Sequence, residues 1–140
     1  MTRVDFYQLD PARHRYEQVV CRLCQKAWEN RQLTLLLTQD AQQSQQLDHR
    51  LWTFADDSFI PHDCGDGDAS DAMLTPILVH DNPEPAGDRQ LLINLSDTVP
   101  SYFAQFERVI ELVTEDNKQQ ARAHYSYYKE RGYHLNHINL

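Results

Sequence analysis

Glycine, basic residues and long apolar runs are all scarce in this chain, and each shortage removes a class of function. Only four of its 140 residues are glycine, and none lies in the first strand-to-helix turn, Leu9-Asp10-Pro11-Ala12-Arg13. Dinucleotide sites need glycines there so that backbone N–H groups can approach a pyrophosphate. A phosphate-cradling loop ending in Gly-Lys-Ser/Thr is missing as well, and no Gly-x-Ser-x-Gly elbow places a nucleophilic serine. Lysine and arginine number 13 against 21 acids, a formal charge of -8. That balance opposes unaided nucleic-acid binding, because phosphate contacts draw most nonspecific affinity from cations. The apolar runs around Leu33–Leu37 and Leu91–Leu95 fall far short of the ~20 residues that cross a bilayer. Met1-Thr2-Arg3-Val4-Asp5 leads straight into a strand pattern with no targeting segment before it. The expectation is one compact cytoplasmic domain over residues 1–140 with no membrane partner, long enough to bury about two-thirds of its unfolded surface without staples.

Three cysteines cannot all pair within one chain, and Cys21 and Cys24 fall inside a helical pattern. Their C-x-x-C spacing is a weak redox signal, since a reactive pair belongs at a helix N-terminus, where the dipole lowers the thiol pKa. The aspartates Asp63, Asp66, Asp68 and Asp71 fail as a calcium loop, because the twelfth position from Asp63 or Asp66 is Leu74 or Ile77 where a bidentate glutamate is required. His62 and Cys64 lack a second ligand pair for zinc. His134 and His137 read as solvated tail residues. No cofactor, metal or catalytic group is implied.

What is present is an alternation of helix and strand signals. Val4–Leu9 alternates as a strand. His14–Glu29 repeats Tyr16, Val20, Leu23 and Ala27 at helical spacing. Leu33–Thr38 is a short apolar run of the kind found in strands covered on both faces, and Asp40 is placed to cap a second helix that carries Leu47 and Leu51 inward. After a long connection from Phe54 to Met73, Ile77–Val79 and Leu91–Leu95 read as strands joined by a hairpin-like step. Pro100 opens a short helix to about Phe106, Arg108–Val113 is a fifth strand, and a last helix from Asn117 to Arg131 ends at Gly132. The order β-α-β-α-β-β-α-β-α predicts an α/β, Rossmann-like three-layer fold, with a predominantly parallel twisted sheet of about five strands and helices on both faces.

The last helix reverses the charge of the chain. It holds Lys118, Arg122, Lys129 and Arg131 against the single acid Glu130, so the remainder carries nine bases and twenty acids. At about 100° per residue, Lys118, Arg122, Tyr125 and Lys129 fall within roughly 60° of one another. A stripe of cations beside an aromatic ring suits an anionic partner with an apolar foot; a solvated amphipathic helix gives the same pattern. A second unusual segment runs from Leu51 to His62, where Trp52, Phe54, Phe59, Ile60 and Pro61 crowd a helix end and its loop. They either seal that helix onto the sheet or form an apolar patch for another subunit.

These stretches resemble, in order and spacing, the chi subunit family of bacterial DNA polymerase III. The resemblance rests on Phe6-Tyr7-Gln8-Leu9, Leu47 through Leu51-Trp52, and Ser58-Phe59-Ile60-Pro61-His62. It continues through Leu92-Ile93-Asn94-Leu95, Phe103-Ala104-Gln105-Phe106, Lys118-Gln119-Gln120-Ala121-Arg122, Tyr125, Tyr128 and Gly132-Tyr133-His134-Leu135-Asn136. It implies a noncatalytic clamp-loader adaptor that binds the psi subunit and the acidic, phenylalanine-ended tail of single-stranded-DNA-binding protein, meeting DNA only indirectly. By position, Lys118 and Arg122 would meet the tail's carboxylates, with Tyr125 and Val113 helping form the apolar pocket. Trp52, Phe59, Ile60 and Pro61 would face psi, or a helicase competing for the same patch. The alternative is a module that binds single-stranded DNA directly, stacking bases on Tyr125, Tyr127, Tyr128 and Tyr133.

Overall fold

The computed structural model describes residues 2–13, 15–53, 62–63 (backbone only), 76–81 and 89–139. They form β1 (Arg3–Gln8), α1 (Tyr16–Glu29), β2 (Thr34–Leu37), α2 (Ala41–Thr53), β3 (His62–Asp63), β4 (Ile77–His80) and β5 (Leu91–Asn94). A 3₁₀ turn (Phe103–Gln105), β6 (Arg108–Val113), α3 (Lys118–Glu130) and β7 (His134–Asn139) complete the order. The strands make one sheet in the order β3-β4-β2-β5-β6-β1-β7, and every pair in it is parallel. The predicted α/β Rossmann-like class is the observed one. Strands β2 and β5 are buried at every position, which explains why they read as unbroken apolar runs.

Four expectations are corrected. The hairpin-like step is absent: β4 and β5 do not pair with each other, and both lie parallel to β2 on opposite sides of it. Parallel neighbours cannot share a tight turn, and their proximity in sequence carried no information about the strand between them. The sheet also exceeds five strands, because β3 extends one edge and β7 the other. His134 and His137 therefore belong to an edge strand paired along its whole length with β1. The short helix after Pro100 narrows to a single 3₁₀ turn, with the Phe103 N–H bonded to the Pro100 carbonyl at 3.2 Å.

Alternate side chains feed two cores. On one face α1 and α2 cover Leu36, Val79, Ile93 and Ile110 with Val20, Cys24, Leu47 and Leu51. On the other, Val4, Phe6, Leu92 and Val109 meet Phe103, Ala121 and Tyr128. Asp40 caps α2 as expected, accepting from the Gln43 N–H at 2.8 Å. Buried Asp5 ties three adjacent strands together: it accepts from Arg108 Nε on β6 at 2.6 Å and from Asn136 Nδ2 on β7 at 2.9 Å. Cys21 and Cys24 are both buried free thiols. Burial pushes the Cys21 thiol up to about 11 and Cys24 higher still, so both are protonated at neutral pH and poor nucleophiles.

Candidate functional site: a cation-rimmed pocket on the last helix

Helix α3 is fixed at both ends by local chemistry. At its start the Asn117 side chain clamps the turn from β6, accepting from the Thr114 N–H at 2.7 Å and donating to the Leu112 carbonyl at 2.9 Å. At its end Gly132 takes φ +79°, with Gly132 N–H bonded to the Lys129 carbonyl and Tyr133 N–H to that of Tyr128. This is the left-handed glycine stop predicted from sequence. Between the two ends, Ala121, His124 and Tyr128 turn inward, which leaves Lys118, Arg122 and Tyr125 on the flank of the helix.

That flank borders a cavity of about 250 Å³ lined by Phe6, Gln8, Val113, Lys118, Ala121, Arg122, Tyr125 and His137. All four residues proposed for an acidic tail, Lys118, Arg122, Tyr125 and Val113, thus line one pocket. Phe6, Val113, Ala121 and the Tyr125 ring give it apolar walls, with the Phe6 and Tyr125 centroids 5.4 Å apart. Lys118 and Arg122 bring charge to its rim. The volume lies below the about 300–1,000 Å³ typical of drug-sized ligand sites, so it suits a single large side chain. Lys118 also pairs with Glu115, Nζ to Oε2 at 3.1 Å. Lys129, fourth member of the sequence stripe, is exposed and does not line the cavity.

Gln8, Phe6 and His137 are lining residues that sequence reasoning did not assign to the site. Phe6 and His137 are register partners on β1 and β7, an adjacency that exists only once the last strand is placed. The remaining signal was the Phe6-Tyr7-Gln8-Leu9 stretch, which carried part of the family resemblance at the first strand.

The inward face of α3 joins a buried polar network. Glu111 accepts from Tyr128 Oη at 2.7 Å and Asn94 Nδ2 at 2.9 Å, and its other oxygen meets His124 Nδ1 at 3.0 Å. His124 Nε2 lies 3.0 Å from the Asp97 carbonyl. Burial by itself would lower the His124 pKa, but the hydrogen bond and charge of Glu111, with the Asp97 carbonyl, outweigh it and raise the value. Burial first, then the Glu111 charge, drives the Tyr128 hydroxyl far up, so Tyr128 is a fixed donor.

A larger crevice of about 490 Å³ lies beyond the C-terminal ends of β1, β2, β5 and β6, where open α/β sheets commonly bind ligands. Its described lining includes Glu115 and Asp116 and contains neither a cation nor a glycine; a phosphate there would meet carboxylates. The direct single-strand reading also loses three of its four stacking faces, keeping only Tyr125, which is 38% exposed. Tyr128 is fully buried, Tyr133 packs on Phe103 at 4.9 Å, and the Tyr127 ring is covered by the Arg131 guanidinium at 3.5 Å. Trp52, by contrast, stands 55% exposed near the end of α2. Its proposed companions Phe59, Ile60 and Pro61, like Phe54, lie outside the described residues.

Comparison with known proteins separates fold from family. A crystal structure of T4 UvsW superposes with a TM-score of 0.69 over 99% of this chain and 41% of that one, at 7% identity, a likeness of fold alone. The DNA polymerase III subunit chi of Pseudomonas aeruginosa is 40% identical over 140 residues, covering 96% of this chain and 94% of its own. That of Escherichia coli K12 is 30% identical over 123 residues, covering 86% and 82%. The family profile "DNA polymerase III chi subunit, HolC" matches residues 1–136, a span that takes in β1, β6, α3 and the first half of β7. The chain belongs to the DNA polymerase III chi subunit family.

Proposed function

We propose that this protein is a noncatalytic adaptor of DNA polymerase III whose α3 pocket takes the acidic, phenylalanine-ended tail of single-stranded-DNA-binding protein. Its family makes it an accessory subunit of the polymerase in DNA replication; the tail and psi as partners are our reading. The observation that carries it is the meeting of Lys118 and Arg122 with an apolar cavity sized for one aromatic side chain. A terminal phenylalanine supplies the ring, and its carboxylate and neighbouring aspartates accept charge-assisted hydrogen bonds from the two cations. Burial of the ring adds a desolvation gain that charge alone cannot provide. In a chain of charge -8, DNA is reached through its coating protein, in the bacterial cytoplasm, with no cofactor required.

A second surface would bind psi through Trp52 together with Phe59, Ile60 and Pro61, and a helicase could compete for it. An exposed tryptophan on a helix flank is a common anchor of protein interfaces.

The first test is binding of the tail peptide to the wild type and to Lys118→Ala/Arg122→Ala at two salt concentrations. The expected result is affinity of about micromolar order, weakened by salt and lost in the double variant. A folded wild type that ignores the peptide would remove the pocket assignment. For the second surface, Trp52→Ala or Phe59→Ala should weaken psi association and spare tail binding; equal loss of both would indicate unfolding.

A further inference from the structure

We infer that Glu115 is an internal rival for the ligand at Lys118, and so sets how much the pocket gains from a second acidic group. The two cations of the pocket are not equivalent. Arg122 makes no ion pair among the described residues, whereas Lys118 Nζ is held 3.1 Å from Glu115 Oε2. Lys118 lines the ligand pocket and Glu115 lines the neighbouring crevice, so their contact is the boundary between the two. The backbone that carries Glu115 is fixed, because Asn117, two residues after it, bonds back to Thr114 and Leu112, which precede it.

Both side chains are about half exposed, 47% and 56%. Solvent-screened pairs of this kind are weak, which makes Glu115 displaceable. One incoming carboxylate can engage Arg122 without disturbing anything. A second must either take Lys118 from Glu115 or share it, and approaches against the charge of Glu115. The discrimination between ligands with one and with two acidic groups is therefore blunted in the wild type and sharpened when Glu115 is neutral.

This inference rests on the tail-pocket reading and is tested by a double-mutant cycle in the full chain. Dissociation constants are measured for wild type, Glu115→Gln, Lys118→Ala and the combination, with the tail peptide and with a version whose aspartate nearest the terminal phenylalanine is asparagine. Glu115→Gln should tighten the acidic peptide about two- to fivefold, the scale of an exposed ion pair. That gain should vanish in the Lys118→Ala background, shrink with the asparagine peptide, and exceed the gain from Asp116→Asn, an equal change of net charge one residue away. A gain that persists without Lys118, or equals that of Asp116→Asn, would reduce Glu115 to a contributor to the general field and overturn the inference. Weaker binding by a folded Glu115→Gln would overturn it too, by showing that Glu115 positions Lys118. If wild type and Glu115→Gln both bind no peptide, the function reading falls and takes this inference with it; normal wild-type binding with no coupling sinks the inference alone.

Discussion

The two flanks of α3 use the same thirteen residues in opposite ways. On the inner flank, His124 and Tyr128 are buried and commit their polar atoms to Glu111 and the Asp97 carbonyl. On the outer flank, Lys118 and Arg122 stand in solvent around a pocket whose walls are largely carbon. Polar groups taken out of water must find partners within the protein, and once they have them they are no longer available to a ligand. The inner flank thus determines where the helix sits, and the outer flank determines what it can hold. A sequence stretch rich in polar residues does not show this division until one knows which side faces the sheet.

The comparison breaks most sharply at Glu111. Replacing it with alanine leaves His124, Tyr128 and Asn94 without their shared acceptor and should cost about 3–5 kcal/mol, the scale for removing one partner of a buried charged pair. Chemical denaturation measures it, and a loss near zero would mean the network is not held as described. Tyr128→Phe removes one buried donor and should cost about 1–3 kcal/mol, read as a fall in Tm. Arg122→Ala should do the reverse of both. It should leave stability within about 0.5 kcal/mol of wild type, as surface substitutions do, yet weaken the tail peptide by about tenfold, or ~1.4 kcal/mol of binding. A stability loss like that of Tyr128→Phe would erase the distinction between the flanks.

The smallest effect is a pH dependence. The His124 pKa is raised in the folded protein, so the folded state holds this proton more tightly than the unfolded chain does. The stabilisation is complete below the unfolded value of about 6.5 and fades as pH rises through the elevated folded value. Denaturation midpoints across that window should fall with rising pH in the wild type, and the fall should flatten in His124→Gln. An unchanged slope in that variant would assign the titration elsewhere.

Much of this arrangement was legible in the sequence, for definite reasons. Leu33–Leu37 and Leu91–Leu95 announced buried strands because parallel strands covered on both faces carry no polar alternation. The cationic stripe was visible because helical periodicity alone brings Lys118, Arg122 and Tyr125 together. Strand β7 was not, because His134-Leu135-Asn136-His137-Ile138-Asn139 lies at the sheet edge, mostly exposed or half-exposed, and has no apolar rhythm. It is a strand because β1 offers it a row of backbone partners, not because its side chains demand one. For the same reason His137 could be read only as a tail residue, and the neighbours of β2 could not be named. Periodicity describes how a segment meets its surroundings; it is silent on which segment those surroundings are.

The place of β1 between β6 and β7 has a consequence for how this protein comes into being. Asp5 reaches Asn136 across 131 positions of chain, and Phe6 acquires its pocket neighbours only when α3 and β7 arrive. Contacts so distant in sequence close slowly, since the entropy of the intervening loop is lost before they form. Synthesis proceeds from the N-terminus, so the first strand made must wait for nearly the last. A growing chain can assemble β2, β4 and β5 against α1 and α2 while the α3 pocket does not yet exist. The α3 pocket is therefore completed in one late step, and on the proposed function a nascent subunit stays inert toward an acidic tail until that step is taken.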